Sequence, residues 1–268
     1  MDQLKLIAPV IKNSIESWLE IKAATGNLAS NTRSAYYSDL TDFFKFLAEY
    51  QNETANLLTV ENLKISDIRA WQAKLRTMNS GARSNARKLS SLKSYIRWLS
   101  KHRKFDATHI LSLKSPKFSK KLPRPLEPVD AKAVLTQCES TSTEPWIVAR
   151  DTAVLILLYG CGLRISEALN LRTKEIPLGN SIRITGKGGK VRMVPVLKIA
   201  QNAVNQYVEL CPFKLERDDK IFFGVRGKPL SPKVIQNKMK FVRHLLGLPA
   251  SATPHALRHS FATHLLSN

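Results

Sequence analysis

The sequence predicts a mainly α-helical protein with one small β-sheet, arranged as two domains joined by a basic linker. Three observations predict it. Apolar residues recur at spacings of three and four through most of the chain, as one face of a helix requires. A Lys-, Pro- and Ser-rich stretch interrupts them near the middle, where proline blocks helix continuation. A single segment in the second half alternates apolar and polar residues on either side of a glycine turn. With 268 residues, 43% of them hydrophobic, the chain has enough apolar surface for two ordinary cores.

The elements follow in order. A helix is expected over Leu4 to Ala24, with Ile7, Val10, Ile11, Ile15, Trp18 and Leu19 on one face. Ser30 or Asn31 caps a second, in which Tyr36, Leu40, Phe43, Phe44 and Leu47 recur. A third follows Ser66 with Ile68, Trp71 and Leu75 inward, and a fourth runs from about Ser84 to His102. The fourth packs Leu89, Leu92, Ile96 and Leu99 while presenting Arg83, Arg87, Lys88, Lys93 and Arg97 outward. These helices make a first domain, residues 1–113, and residues 114–128 form the linker. The second domain, 129–268, begins with helices over Val129 to Cys138 and Trp146 to Tyr159. Strands at Ser181 to Thr185 and Val191 to Val196 flank the GKGG turn. Helices near Ala200 to Leu210, Ser231 to Leu246 and Pro254 to Leu266 complete it.

Charge narrows the partner. Lys and Arg number 42 against 21 Asp and Glu, a net charge of +21, which points to a polyanion and first of all to nucleic acid. The excess is uneven: residues 83–124 hold 13 basic and 1 acidic side chain, and residues 182–268 hold 15 and 4, while the stretches between are near neutral. Two basic blocks suggest a clamp that touches its ligand from two sides. Three cysteines, Cys138, Cys161 and Cys211, lack the paired spacing of a disulfide framework or a zinc site, so a reducing cytoplasm is expected. The longest apolar run, Ala153 to Tyr159, is too short to span a bilayer, and no membrane partner is expected.

Three segments could carry chemistry. In GCGLRISEALNL, residues 160–171, Arg164 follows a glycine turn at a helix start, where free amides and a guanidinium can share a phosphate. Read alone, it fits an ordinary surface arginine at a helix start better than a phosphate ligand. In TGKGGKVRMVPV, residues 185–196, Lys187 and Lys190 sit in a hairpin tip, from which an ammonium can reach a leaving oxygen or simply remain solvated. A nucleotide-binding phosphate loop is excluded because Lys187 is followed by Gly188 rather than Ser or Thr. In HALRHSFATHLL, residues 255–266, His255 and Arg258 are three apart at a helix start and share one face. His255 and His259 could in principle bind zinc, but no glutamate follows the first histidine and no third ligand is evident, so no metal is expected.

The ordered set Arg164, Lys187, His255 and Arg258 resembles the tyrosine recombinase (phage integrase) family, and the wording around it is similar to the family's Xer-type chromosome-dimer recombinases. ASNTRSAYYSDLTDFFKFL (29–47), ARSNARKLSSLKSYIRWL (82–99) and KLPRPL (121–126) extend the likeness nearly end to end. The resemblance implies an N-terminal helical, SAM-like core-binding domain and an α+β tyrosine-recombinase catalytic domain. It implies strand cleavage and rejoining through a 3′-phosphotyrosyl intermediate, with no cofactor. Arg164 and Arg258 would hold the non-bridging oxygens, Lys187 would protonate the leaving 5′-oxygen, and His255 would assist proton movement at the attacking oxygen. Glu167 would orient its neighbours. Thr32, Arg33, Arg83, Ser84, Arg87, Lys88, Lys93 and Lys190 are the expected DNA contacts, helped by Asn85. Implied partners are a double-stranded recombination site, sister recombinase subunits in a tetramer on DNA, and a cell-division DNA translocase. Rival readings are a mobile-element integrase, a type IB topoisomerase and a non-catalytic DNA-binding regulator.

The family places its nucleophilic tyrosine beyond the helix that carries His255 and Arg258. Here Tyr36, Tyr37, Tyr50, Tyr95, Tyr159 and Tyr207 all precede Arg258. The expectation is a chain that binds DNA without cleaving it, as a piece of a longer protein rather than a naturally shortened relative.

Overall fold

The computed structural model describes residues 6–26, 28, 30–115, 125–140, 142–186, 189–216 and 218–266. The chain divides into two compact units, residues 1–120 and 121–268, each built on its own apolar cluster.

The first unit is helical. Helices α1 (Pro9–Ala24), α2 (Ser30–Gln51), α4 (Ile65–Thr77) and α5 (Ala82–Arg103) surround Trp18, Phe43, Phe44, Trp71 and Tyr95, with two short helices, α3 (Leu57–Glu61) and α6 (Thr108–Leu111), between and after them. Helix α1 starts five residues later than the periodicity suggests. Pro9 occupies its first turn, where a missing N–H costs nothing, and Ile7 instead pairs with Ala55 in an isolated parallel bridge. The α3 cap is reciprocal: Asn56 Oδ1 accepts from the Thr59 amide, and Thr59 Oγ1 accepts from the Asn56 amide.

In the second unit α8 (Pro145–Gly160) is the central element, packed by α7 (Pro128–Glu139), α10 (Lys198–Leu210), α11 (Pro232–Leu245) and α12 (Pro254–Leu266). Its sequence is apolar nearly all round, as a helix covered on every side requires. One buried polar network interrupts this. Arg150 bonds Asp151 and the Phe223 carbonyl, and Lys238 of α11 lies 3.3 Å from the second Asp151 oxygen. Breaking either half would strand a charge in the core.

Strands β1 (Ser181–Thr185) and β2 (Val191–Pro195) form the antiparallel hairpin, in the register Ser181 to Pro195 through Thr185 to Val191. Ile182, Ile184 and Val194 face the core, whereas Val191 and Met193 are exposed. Pro128, at the end of the expected linker, is the first residue of α7. Just before it the Leu126 amide donates to Ser260 Oγ of α12 at 2.7 Å, which fastens the entering chain to the helix that carries His255 and Arg258. Among the described residues, no helix is long and apolar enough to cross a membrane.

Candidate phosphate-handling site

Arg164 sits at the cap position before the one-turn helix α9 (Ile165–Ala168). The turn that delivers it depends on Gly162, which has a positive φ of 60° and lies under the Phe261 ring of α12; a Cβ there would stand 2.5 Å from that ring. Only glycine satisfies both the backbone and the contact. The turn and α12 are thereby brought together, and with them Arg164 and Arg258.

Their meeting point is Glu167, at the third position of α9. One carboxylate oxygen accepts from the Arg164 backbone amide at 2.7 Å, capping the helix, and from Arg258 at 3.3 Å. The other accepts from the Arg164 guanidinium at 2.7 Å. Arg192 on β2 spans the carboxylate, donating to its two oxygens at 3.1 and 2.7 Å. Burial by itself would push the Glu167 carboxyl up, but the hydrogen bonds from Arg192 and from Arg164, with the charge of Arg192, outweigh it and hold the group at about 2. Three guanidinium charges against one carboxylate leave an excess of two positive charges (3 − 1) at this spot. The Arg164 side chain is 51% exposed and Arg258 22%, while Glu167 is 7%. The acid lies beneath and the bases face outward.

His255 lies three residues before Arg258 at the start of α12, with its Nε2 3.0 Å from Nε2 of His259. Partial burial, then His259, Arg258 and Arg164, lower its pKa from the ordinary value, so the imidazole is neutral at neutral pH. Such a ring can take up a proton. Burial and the neighbouring Arg164 also lower Arg258, although a guanidinium keeps its charge. Beside His255 a hollow is lined by Ile165, Gln236, Asn237, Lys240, Arg243 and Thr253, joining the face of α11 to the cluster.

Of the residues expected from sequence, Arg164, Glu167, His255 and Arg258 therefore come together. Lys187 lies outside the described residues. Lys190 is exposed at the foot of the turn, where its carbonyl accepts from the Gly186 amide at 2.7 Å. Arg192 was not singled out by the sequence.

In the first unit Arg33, Arg83 and Ser84 are exposed and Thr32 is half-buried. Arg87 is paired with Asp39, Lys88 with Asp42 at 2.9 Å, and Lys93 donates to the Leu113 carbonyl at 2.9 Å. Asn85 is buried and donates to the Ser80 carbonyl at 3.2 Å, so its amide nitrogen serves the start of α5 instead of an outside ligand. Among the described residues, no group of three or more His, Cys, Asp or Glu side chains could hold a metal ion.

The Phage integrase family matches residues 124–268, and the Phage integrase, N-terminal SAM-like domain matches residues 15–103. Tyrosine recombinase XerC of Agrobacterium fabrum is 44% identical over 265 residues, covering 98% of this chain and 84% of the relative. Tyrosine recombinase XerC of Brucella suis is 45% identical over 253 residues, covering 94% and 80%. Among solved structures, the XerH site-specific recombinase bound to difH in a pre-cleavage complex superposes with a TM-score of 0.71 at 18% identity, over 96% of this chain and 86% of that one. A lambda integrase tetramer bound to a Holliday junction gives 0.68 at 17%, over 96% and 70%. On this evidence the chain belongs to the phage integrase family of tyrosine recombinases, and within it to the Xer type.

Proposed function

We propose that the second unit holds and activates one DNA phosphodiester for transfer to a tyrosine. The observation that carries this reading is the convergence of Arg164 and Arg258 on Glu167. Two outward guanidiniums can each fork a non-bridging oxygen, and the excess of two positive charges matches the charge of a five-coordinate phosphorus. Neutral His255 stands three residues from Arg258 to accept a proton from the attacking hydroxyl. Lys187, in the β1–β2 turn by sequence, protonates the departing 5′-oxygen. The covalent intermediate stores the bond energy, so a second strand's hydroxyl can reverse the step without nucleotide or metal.

None of the six tyrosines is the nucleophile in this reading. Tyr36, Tyr37, Tyr50 and Tyr95 lie in the first unit. Tyr207 is fully buried, donating to the Ile221 carbonyl at 2.9 Å and accepting from the Phe223 amide at 3.0 Å. Burial pushes Tyr95 up to about 12 and Tyr207 higher still, away from the phenolate. Tyr159 sits near the end of α8, partly buried against the core of the unit.

The wider role we assign is site-specific exchange at a double-stranded chromosomal site that resolves chromosome dimers, by subunits assembled as a tetramer, with a cell-division translocase as regulator. The XerC relatives favour this over a mobile-element role. Residues 1–113 and 129–268, joined by the linker 114–128, would grip the duplex, with Thr32, Arg33, Arg83, Ser84 and Lys190 on its backbone. The test is covalent capture on nicked duplexes from a random-sequence pool, comparing these 268 residues with a form extended by a relative's tyrosine-bearing C-terminal segment. Phosphotyrosyl DNA is expected in the extended form alone, on the added tyrosine. A DNA-linked peptide containing any of the six tyrosines present here would overturn the assignment.

A further inference from the structure

We infer that Arg192 is a positioning residue of the phosphate site: it fixes the Glu167 carboxylate, and through it the aim of Arg164 and Arg258. The inference deepens the functional reading above and rests on it for the identity of the ligand.

The hairpin shows why an arginine stands there. Inward positions alternate along each strand, and Ile182, Ile184 and Val194 fill them with buried aliphatic side chains. Arg192 is the remaining inward position, directly across from Ile184 and one pair from the turn. A charge on the core face is costly unless it is paired. Here both guanidinium nitrogens of one edge meet both oxygens of Glu167, at 3.1 and 2.7 Å. Gly186, where the chain leaves β1, approaches the same cluster: a Cβ there would lie 3.5 Å from Arg192 and 3.9 Å from Arg164. The hairpin root and the α9 start therefore share one carboxylate.

The division of labour follows from the hydrogen bonds. Arg192 commits both donors of one edge to the acid, whereas the Arg164 and Arg258 guanidiniums give it one nitrogen each. A carboxylate bound only by Arg164 and Arg258 would draw both guanidiniums onto itself. A carboxylate already bridged by Arg192 has fewer lone pairs to offer, which leaves the other two arginines donors to spare for a phosphate. Outer groups that orient ligand-binding residues in this manner are typically worth about 10- to 100-fold in affinity or activity.

The experiment uses the whole chain, with inorganic phosphate as the probe and two readouts. The first is the pH titration of the Glu167 carboxyl carbon by NMR. The second is the movement of the Arg164 and Arg258 guanidinium signals on adding phosphate. Arg192→Ala is expected to raise the pH at which Glu167 titrates and to weaken phosphate binding by about 10-fold, with Arg192→Lys between it and the parent. In a Glu167→Gln background Arg192→Ala is expected to add no further loss of phosphate affinity, because the two act as one unit. A Glu167 titration unmoved in both Arg192 variants would overturn the inference, and so would fully additive losses. Guanidinium signals of the parent that ignore phosphate would overturn the functional reading alone, because the Glu167 titration reports on Arg192 whether or not the site takes phosphate.

Discussion

A carboxylate bridged by one guanidinium and touched by two more stays ionised far into acid, and that has a measurable sign. Glu167 is held at about 2 in the folded protein against 4.5 for the unperturbed group. The stability it contributes is therefore complete above pH 4.5 and lost as pH falls towards 2. Glu167→Gln is expected to flatten that part of the pH–stability curve in denaturant titrations; an unchanged acid limb would show that the cluster does not bind the carboxylate tightly. In the C-terminally extended form used for covalent capture, Arg164→Ala or Arg258→Ala should slow strand cleavage by ~100- to 1,000-fold. Duplex affinity measured in parallel should change only a few-fold, since many phosphate contacts share it. Arg164, His255 and Arg258 stood out in the sequence as basic groups at helix starts, but it was the resemblance of the ordered set to the tyrosine recombinases that drew them together and added Glu167. Arg192 did not stand out, because its partner is 25 positions away, and alternation along β2 does not say which set of residues faces inward.

Elements whose pattern extends over several turns were readable, and short ones were not. Trp18, Phe43, Trp71 and Leu92 are buried where their periodicity placed them. Helices α3, α6 and α9 have only four or five residues, too few to express a period; α3 is marked by the Asn56–Thr59 cap and α9 by the Glu167 carboxylate on the Arg164 amide. The start of α1 was misjudged because apolar Ile7 continues the spacing past Pro9 while serving a bridge to Ala55. Gly162 tests how the turn before α9 is built. Gly162→Ala combines left-handed strain with a clash against Phe261, and should cost ~1–3 kcal/mol more than Gly26→Ala, which has the same strain and open space around it. Thermal unfolding of the two variants checks this; equal costs would mean the Phe261 contact yields freely. On α5 the outward Arg83, Arg87 and Arg97 were readable from spacing, whereas Lys88 and Lys93, expected outward too, are half-buried on partners that spacing does not reveal. Asp39 and Asp42 already hold Arg87 and Lys88. Asp42→Asn should free Lys88 and raise duplex affinity by a few-fold in low salt, as read by fluorescence anisotropy.

At the scale of the molecule, composition carried the main message. A net charge of +21, concentrated in residues 83–124 and 182–268, is an electrostatic footprint for a polyanion before any fold is known. Affinity for duplex DNA should accordingly fall along a straight line in log–log form with added salt. If six or more phosphates are contacted, roughly 1,000-fold is lost between about 50 and 200 mM. A salt-insensitive affinity would contradict the electrostatic grip. The central claim is narrower: two arginines from separate elements, backed by one buried acid, receive one phosphate. A structure of this chain bound to duplex DNA tests it most directly. Guanidiniums of Arg164 and Arg258 on two non-bridging oxygens of the same phosphate, with Arg192 still on Glu167, is the expected result. Arg164 and Arg258 engaged only by Glu167, with the nearest phosphate held elsewhere on the protein, would contradict it.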